Sequence, residues 1–254
     1  MRRTLAETSC VFRRAMRLSL RNPVWVVLGL IQPLLYLALF APLLRPIARD
    51  RHFPAGGAWQ VFVPGLLVQL GIFGAAFVGF GLVAELRAGV VERMRVTPAS
   101  RLALLAGRVG RDVVVLVVQG AILLVAATAF GLRAPLVGMV CGLAVVGLLG
   151  AAFASASYAA ALTLKSEDAL APLLNGVGLP LLLLSGILLP MTLAPPWLRD
   201  IADANPVKHV VDGVRALFLG RVATATTAWG ILAVCGLVAA GLYLGTRCFR
   251  RNAA

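Results

Sequence analysis

Few residues in this chain have the types that do chemistry: His52 and His209, Cys10, Cys141, Cys235 and Cys248, and the serine of Ser185-Gly186. A histidine could act as general base, a cysteine as nucleophile or metal ligand, and a serine as nucleophile once a base lies beside it. Their spacing supports none of these roles. Both histidines fall outside the long apolar runs, so Ser185 has no in-membrane base to activate it. The cysteines are scattered, without Cys-x-x-Cys spacing, and indicate neither a disulfide framework nor a zinc site. No paired acids face each other within an apolar run. There is no G-x-x-x-x-G-K-[ST] loop, and neither Lys165 nor Lys208 follows a glycine-rich stretch. The chain therefore reads as no enzyme and holds no cofactor or nucleotide of its own. Any uphill work requires ATP and Mg on another chain.

The remaining chemistry is charge, concentrated in Glu85–Asp112, ELRAGVVERMRVTPASRLALLAGRVGRD, with six arginines and three acids between two uncharged apolar runs. Glu85, Arg87, Glu92, Arg93 and Arg95 mix both signs, which suits a protein-facing surface better than one facing only lipid phosphates. Thr97-Pro98 interrupts any helix, because proline lacks the N–H and pushes the preceding residue towards extended geometry. Ser100 is then placed to cap a new helix through Arg101, Leu105 and Arg108. A short helix, a break and a restart make a rigid knuckle.

The elements around this knuckle are membrane helices. The chain has 254 residues, 60% of them hydrophobic and only 13% charged, where soluble domains average about a quarter charged. Apolar spans are expected at about 24–44, 59–84, 113–132, 135–164, 169–190 and 228–245. The first run is too long for the core of a cleavable leader. Residues 5–21 predict an amphipathic helix, with Arg13, Arg14, Arg17 and Arg21 in one sector and Leu5, Val11, Phe12, Ala15, Met16 and Leu18 opposite; only Leu20 strays. Such a helix lies in the membrane interface. Gly71, Gly74, Ala75 and Val78 form a small-residue face suited to close helix packing. Asn175, Gly176, Gly178 and Pro180 loosen the fifth span, which makes it the candidate lining of a substrate route. Asn205-Pro206 starts a further helix, with a capping residue and then proline at the first helical position. Its apolar residues recur on one face, with Lys208, His209, Asp212 and Arg215 on the other, so it should lie at the outer leaflet or dip part-way in.

The net charge of +14, from 22 arginines and two lysines, follows the spans. With the N-terminus inside, cytoplasmic segments hold 16 Lys/Arg and external ones 8. This excess fits both termini in the cytoplasm and explains the charge without nucleic acid. Arg45, Arg49 and Arg51 are a local conflict with that rule. The arginine bias suggests a GC-rich bacterial genome. The expected apolar cores contain no charged residue, which argues against an ion-coupled transporter.

Arg87-x-Gly89-x-x-Glu92-Arg93, then Thr97-Pro98-x-x-Arg101 and Gly107-Arg108, resembles the cytoplasmic loop of type-2 ABC transporter membrane domains, in particular the daunorubicin-resistance type of drug-export permease. Asn205-Pro206 through Asp212 and Arg215 resembles the external segment before the last span of that family. The likeness covers most of the chain, but only these two segments are motif-like. It implies a single all-α polytopic domain over 1–254, with six spans, an N-terminal elbow helix, a cytoplasmic coupling helix and an external helix. It also implies a separate ATP-binding subunit docked at Glu85, Arg87, Gly89, Glu92, Arg93, Thr97, Pro98 and Arg101, and a second membrane subunit. The expected activity is export of a hydrophobic drug or antibiotic across a bacterial cell membrane. Export of a lipid or glycan by the same mechanism fits the same residues, and so does a membrane anchor that transports nothing.

Overall fold

A computed structural model describes residues 2–21, 24–47, 57–89, 101–188 and 191–251. The described residues are helical between short turns: α1 (Arg2–Arg21), α2 (Val24–Ile47), α3 (Gly57–Ala76), α4 (Val78–Arg87), α5 (Arg101–Ala129), α6 (Leu136–Leu164), α7 (Glu167–Leu184), a 3₁₀ turn at Met191–Leu193, α8 (Pro196–Asp203), α9 (Pro206–Phe218) and α10 (Ala225–Arg251). In hydrocarbon every backbone polar group needs an internal partner, and a helix supplies it within one segment. Five stretches are long and apolar enough to cross a membrane: Gly57–Arg87, Leu102–Ala129, Leu136–Leu164, Glu167–Leu184 and Ala225–Phe249. A sixth arises if Leu5–Arg21 and Val26–Phe40, bent by 67°, are taken as one broken span. The chain is thus an all-α polytopic membrane protein.

The core is built on α3 and α6. Phe62, Val63, Leu66 and Leu67 of α3 are fully enclosed, as are Leu149 and Tyr158 of α6. Glycines permit the closest approaches. Any side-chain carbon on Gly65 would collide with the Ile187 carbonyl, and one on Gly71 would lie 3.3 Å from Leu149. Gly74 abuts Leu116, so the small face of the second span does pack against neighbouring helices. α1 keeps Arg13, Arg14, Arg17 and Arg21 exposed and lays Val11 and Phe12 against Gly107 of α5.

The second expected span differs in one respect. It is two helices, α3 and α4, broken at Phe77. A hydroxyl from another helix spans the joint: Ser157 Oγ donates to the Ala76 carbonyl and accepts from Gly79 N–H at 3.0 Å. Both groups at the joint are therefore satisfied away from water. Ser155, two residues before the joint's partner, bonds back to Ala151 O at 2.7 Å within its own helix.

The helix after Asn205 corrects a second expectation. Asn205 does cap it, accepting from Val207 N–H at 2.9 Å, and its Nδ2 donates to Leu181 O at 3.2 Å. But α9 is enclosed among α3, α6 and α10, with Val207, Val210, Val211, Val214 and Phe218 all buried. Arg215, expected on the polar face, is 9% exposed. Its Nε donates to Val61 O at 3.0 Å and its Nη2 to Gly186 O at 2.7 Å. The reason is local backbone supply. Gly186 leaves the helical region with φ +70, just past the end of α7. Carbonyls at such breaks lack regular helical partners, and a guanidinium is the side chain with enough donors to meet several at once.

Candidate coupling face and the cleft beside it

The knuckle begins where α4 ends. Gly89 sits at φ +67 with its N–H on Leu86 O at 3.1 Å, a left-handed stop that glycine adopts without strain. Glu92, Arg93, Thr97 and Pro98 lie outside the described residues. Arg101 is the first residue of α5, which runs unbroken into the membrane to Ala129.

Glu85 and Arg87, expected as docking residues, both have partners in this chain. Arg108 of α5 pairs with Glu85, its guanidinium mostly buried. Arg87 Nη1 lies 3.4 Å from Glu167 Oε1 at the start of α7. The second pair is solvent-exposed and contributes roughly 0–1 kcal/mol. The first is better shielded and holds its geometry more firmly. Together they tie α4, α5 and α7 at the point where the knuckle leaves the bundle.

Behind this face lies a carboxylate that the sequence reading left at the end of a loop. Asp112 was placed outside the third span. Because α5 starts at Arg101, Asp112 is instead three turns into a helix and 2% exposed. Tyr158 Oη of α6 donates to Asp112 Oδ2 at 2.5 Å. Arg111 Nη1 comes within 3.0 Å of Oδ1, but off the hydrogen-bonding direction, so Oδ1 has a charged neighbour and no hydrogen bond. The missed signal was the missing break between Arg101 and Val113: the stretch has no proline, and Gly107 and Gly110 are isolated, so the helix that Ser100 is expected to cap has no reason to stop.

The other expected site residues are spread over the molecule. Arg13, Arg14, Arg17 and Arg21 form the exposed face of α1. Asn205, Pro206, Asp212 and Arg215 belong to the enclosed α9. Asp212 pairs with Arg215 at 3.5 Å. Asn175, Gly176 and Pro180 are exposed on α7, while Gly178 is half-buried, against Phe73. None of these four borders the large cleft described next.

That cleft, about 880 Å³, runs between α1–α2 on one side and α3–α5 on the other. Its walls are mainly apolar, and the polar groups on them include Gln69, Gln119, Asp112 and Arg111. Gln119 Nε2 crosses it to donate to Val26 O at 2.6 Å.

The pattern of the family described as "ABC-2 type transporter" matches residues 6–219. "Putative transport permease ycf38" of Pyropia yezoensis is 28% identical over 219 residues, which cover 84% of this chain and 74% of the relative. "Daunorubicin resistance ABC transporter permease protein DrrB1" of Streptomyces coeruleorubidus is 27% identical over 241 residues, covering 94% and 84%. The ycf38 permease of Cyanophora paradoxa is 26% identical over 200 residues, covering 78% and 69%.

Proposed function

This chain belongs to the ABC-2 type transporter family, and from that premise we propose that it is the membrane subunit of an exporter that moves a hydrophobic drug or antibiotic out of the cell. A separate ATP-binding subunit supplies the energy, and a second membrane subunit completes the path. Both termini face the cytoplasm, in line with the excess of basic residues on that side. The likeness to a daunorubicin-resistance permease supports the drug-export reading.

The observation that carries the mechanism is the mounting of the knuckle. Glu85–Arg108 and Arg87–Glu167 join three helices at its base. A push on residues 90–100 is then delivered to α4, α5 and α7 together and not lost in one loose loop. ATP-driven closure of the partner subunits supplies that push, with Glu92 and Arg93 as docking charges and Thr97-Pro98 setting the turn. α1 gives a second point of contact through its exposed arginines.

The test is Arg93→Glu. Membrane insertion and yield stay at wild-type level, while ATP-dependent export of a fluorescent aromatic drug from inverted vesicles falls to background. Wild-type export by a correctly inserted variant removes Arg93 from the docking role. Purification in mild detergent from native cells brings down a stoichiometric ATP-binding chain, and charge reversal at Glu92 and Arg93 releases it.

A further inference from the structure

The apolar side of α1 is spent on protein: Val11 and Phe12 lie against Gly107, and Phe12 also meets Gly110 of α5. The other side carries Arg13, Arg14, Arg17 and Arg21, all exposed. Arg17 is a helical neighbour of the other three, four residues after Arg13, three after Arg14 and four before Arg21. Like charges at these spacings repel and destabilise a helix. Among the described residues no ion pair relieves them, whereas Arg87, Arg108, Arg111, Lys208 and Arg215 each have a carboxylate. Glu7, the one acid of α1, does not border the groove that the four arginines line. Such a stripe calls for an anion.

Its edges narrow down which anion. At 100° per residue Leu18 and Leu20 border the arginine sector on either side, and they are 53% and 72% exposed. An acidic peptide loop, or water, gives these leucines nothing to cover them. A phosphodiester that carries acyl chains meets the guanidiniums and the leucines together. The placement of α1 agrees. It packs on the first turns of α5, beside the knuckle, and is bent by 67° from the apolar stretch Val26–Phe40. Ser9, one turn before Arg13, adds a hydroxyl to the same groove.

We propose that this groove of α1 is a binding site for the headgroup of an anionic glycerophospholipid in the leaflet on the knuckle side. The phosphate oxygens accept from Arg17 and its neighbours, and the acyl chains run past Leu18 or Leu20. A zwitterionic headgroup is disfavoured, because its own cation is brought in among four guanidiniums. The inference needs only a membrane around the chain and goes beyond the exporter reading. A docked ATP-binding subunit would draw on the same arginines, so the test omits it.

The full chain is purified in dodecyl maltoside, and dioleoyl-phosphatidylglycerol is titrated against dioleoyl-phosphatidylcholine, with bound lipid read by native mass spectrometry. The wild type retains phosphatidylglycerol in preference to phosphatidylcholine. An arginine near an anionic headgroup is worth roughly fivefold in affinity, so Arg13→Gln with Arg17→Gln weakens phosphatidylglycerol about 25-fold. The thermal midpoint without lipid stays at the wild-type value, since both positions are exposed. Arg13→Lys with Arg17→Lys keeps most of the binding. Arg221→Gln with Arg247→Gln removes the same charge from exposed positions elsewhere and leaves binding within twofold of wild type. Equal retention of the two lipids overturns the site and leaves these arginines to a protein partner. Equal weakening by the two glutamine pairs also overturns it, because net charge alone then explains the lipid. Displacement of phosphatidylglycerol by inorganic phosphate overturns it as well, because the groove then takes free phosphate. Each of these outcomes leaves the exporter reading to its own test, which is scored by ATP-driven export.

Discussion

α3 and α7 make a useful pair. Both are apolar helices of about one membrane thickness; α3 carries Pro64 and four glycines, and α7 carries Pro172, Pro180 and two glycines. In the apolar stretch containing α3, 61% of the residues are buried; in α7 the share is 6%. Gly65, Gly71, Gly74 and Gly79 of α3 and α4 are in contact with other segments, whereas Gly176 of α7 has nothing within 4 Å of where a side chain would start. The same residue types therefore do different work. In α3 small residues let backbones meet, and in α7 Gly176 faces outward from this chain. Hydropathy says that a helix resides in the membrane but not whether protein or lipid covers it.

Substitution can break the comparison. Gly65→Ala drives a methyl into the Ile187 carbonyl and should cost about 1–3 kcal/mol, as overpacking does. Gly176→Ala removes a flexible residue from an open helix face and should be neutral or gain up to about 1 kcal/mol. The check is the thermal midpoint of each variant in one detergent; equal midpoints would mean that the contrast between the helices is not energetic. Tyr158→Phe tests the centre more finely. It withdraws the hydrogen bond to Asp112 Oδ2 and should cost about 1.5–3 kcal/mol, the range for bonds to charged groups. Thr163→Val lies on the same helix, but its hydroxyl bonds only within α6, and it should change the midpoint far less.

The smallest effect belongs to the periphery. Lys208 donates to Asp203 and holds that carboxyl below the usual aspartate range. A folded-state value below the unfolded one stabilises above the unfolded value, and this contribution is lost as pH falls through the folded one. The midpoint difference between wild type and Asp203→Asn should therefore be small at neutral pH, shrink below about pH 4 and vanish in strong acid. A difference that grows on acidification would contradict the pairing. Exposure of the carboxylate keeps the effect weak.

Much of the architecture was legible from periodicity and punctuation. The arginine face of α1, the restart at Arg101 and the Asn205-Pro206 entry to α9 are all local signals, and each is found where it was read. What escaped depends on partners distant in sequence. The break at Phe77 follows no proline; it is stabilised by Ser157, 80 residues later. Asp112 seemed a loop residue because charge was taken to mark a span's end, yet Tyr158 and Arg111 accommodate it inside. Arg215 was read on the polar face because it lies opposite the apolar residues at helical spacing. Here the donors it carries are consumed by carbonyls of two other segments. Glu85 and Arg87 were legible as charges at the base of the knuckle, but their partners Arg108 and Glu167 were not. A motif specifies residues, and only the fold specifies what they hold.

The joint at Phe77 has a mechanical corollary. A lever transmits force only if it turns about a fulcrum, and a regular helix has none, because bending it anywhere strips peptide groups of their partners. At this point the partners are already supplied from outside the helix, by a single hydroxyl that meets the peptide groups on both sides of the joint. A fulcrum can therefore sit here without leaving a carbonyl or an N–H unmet.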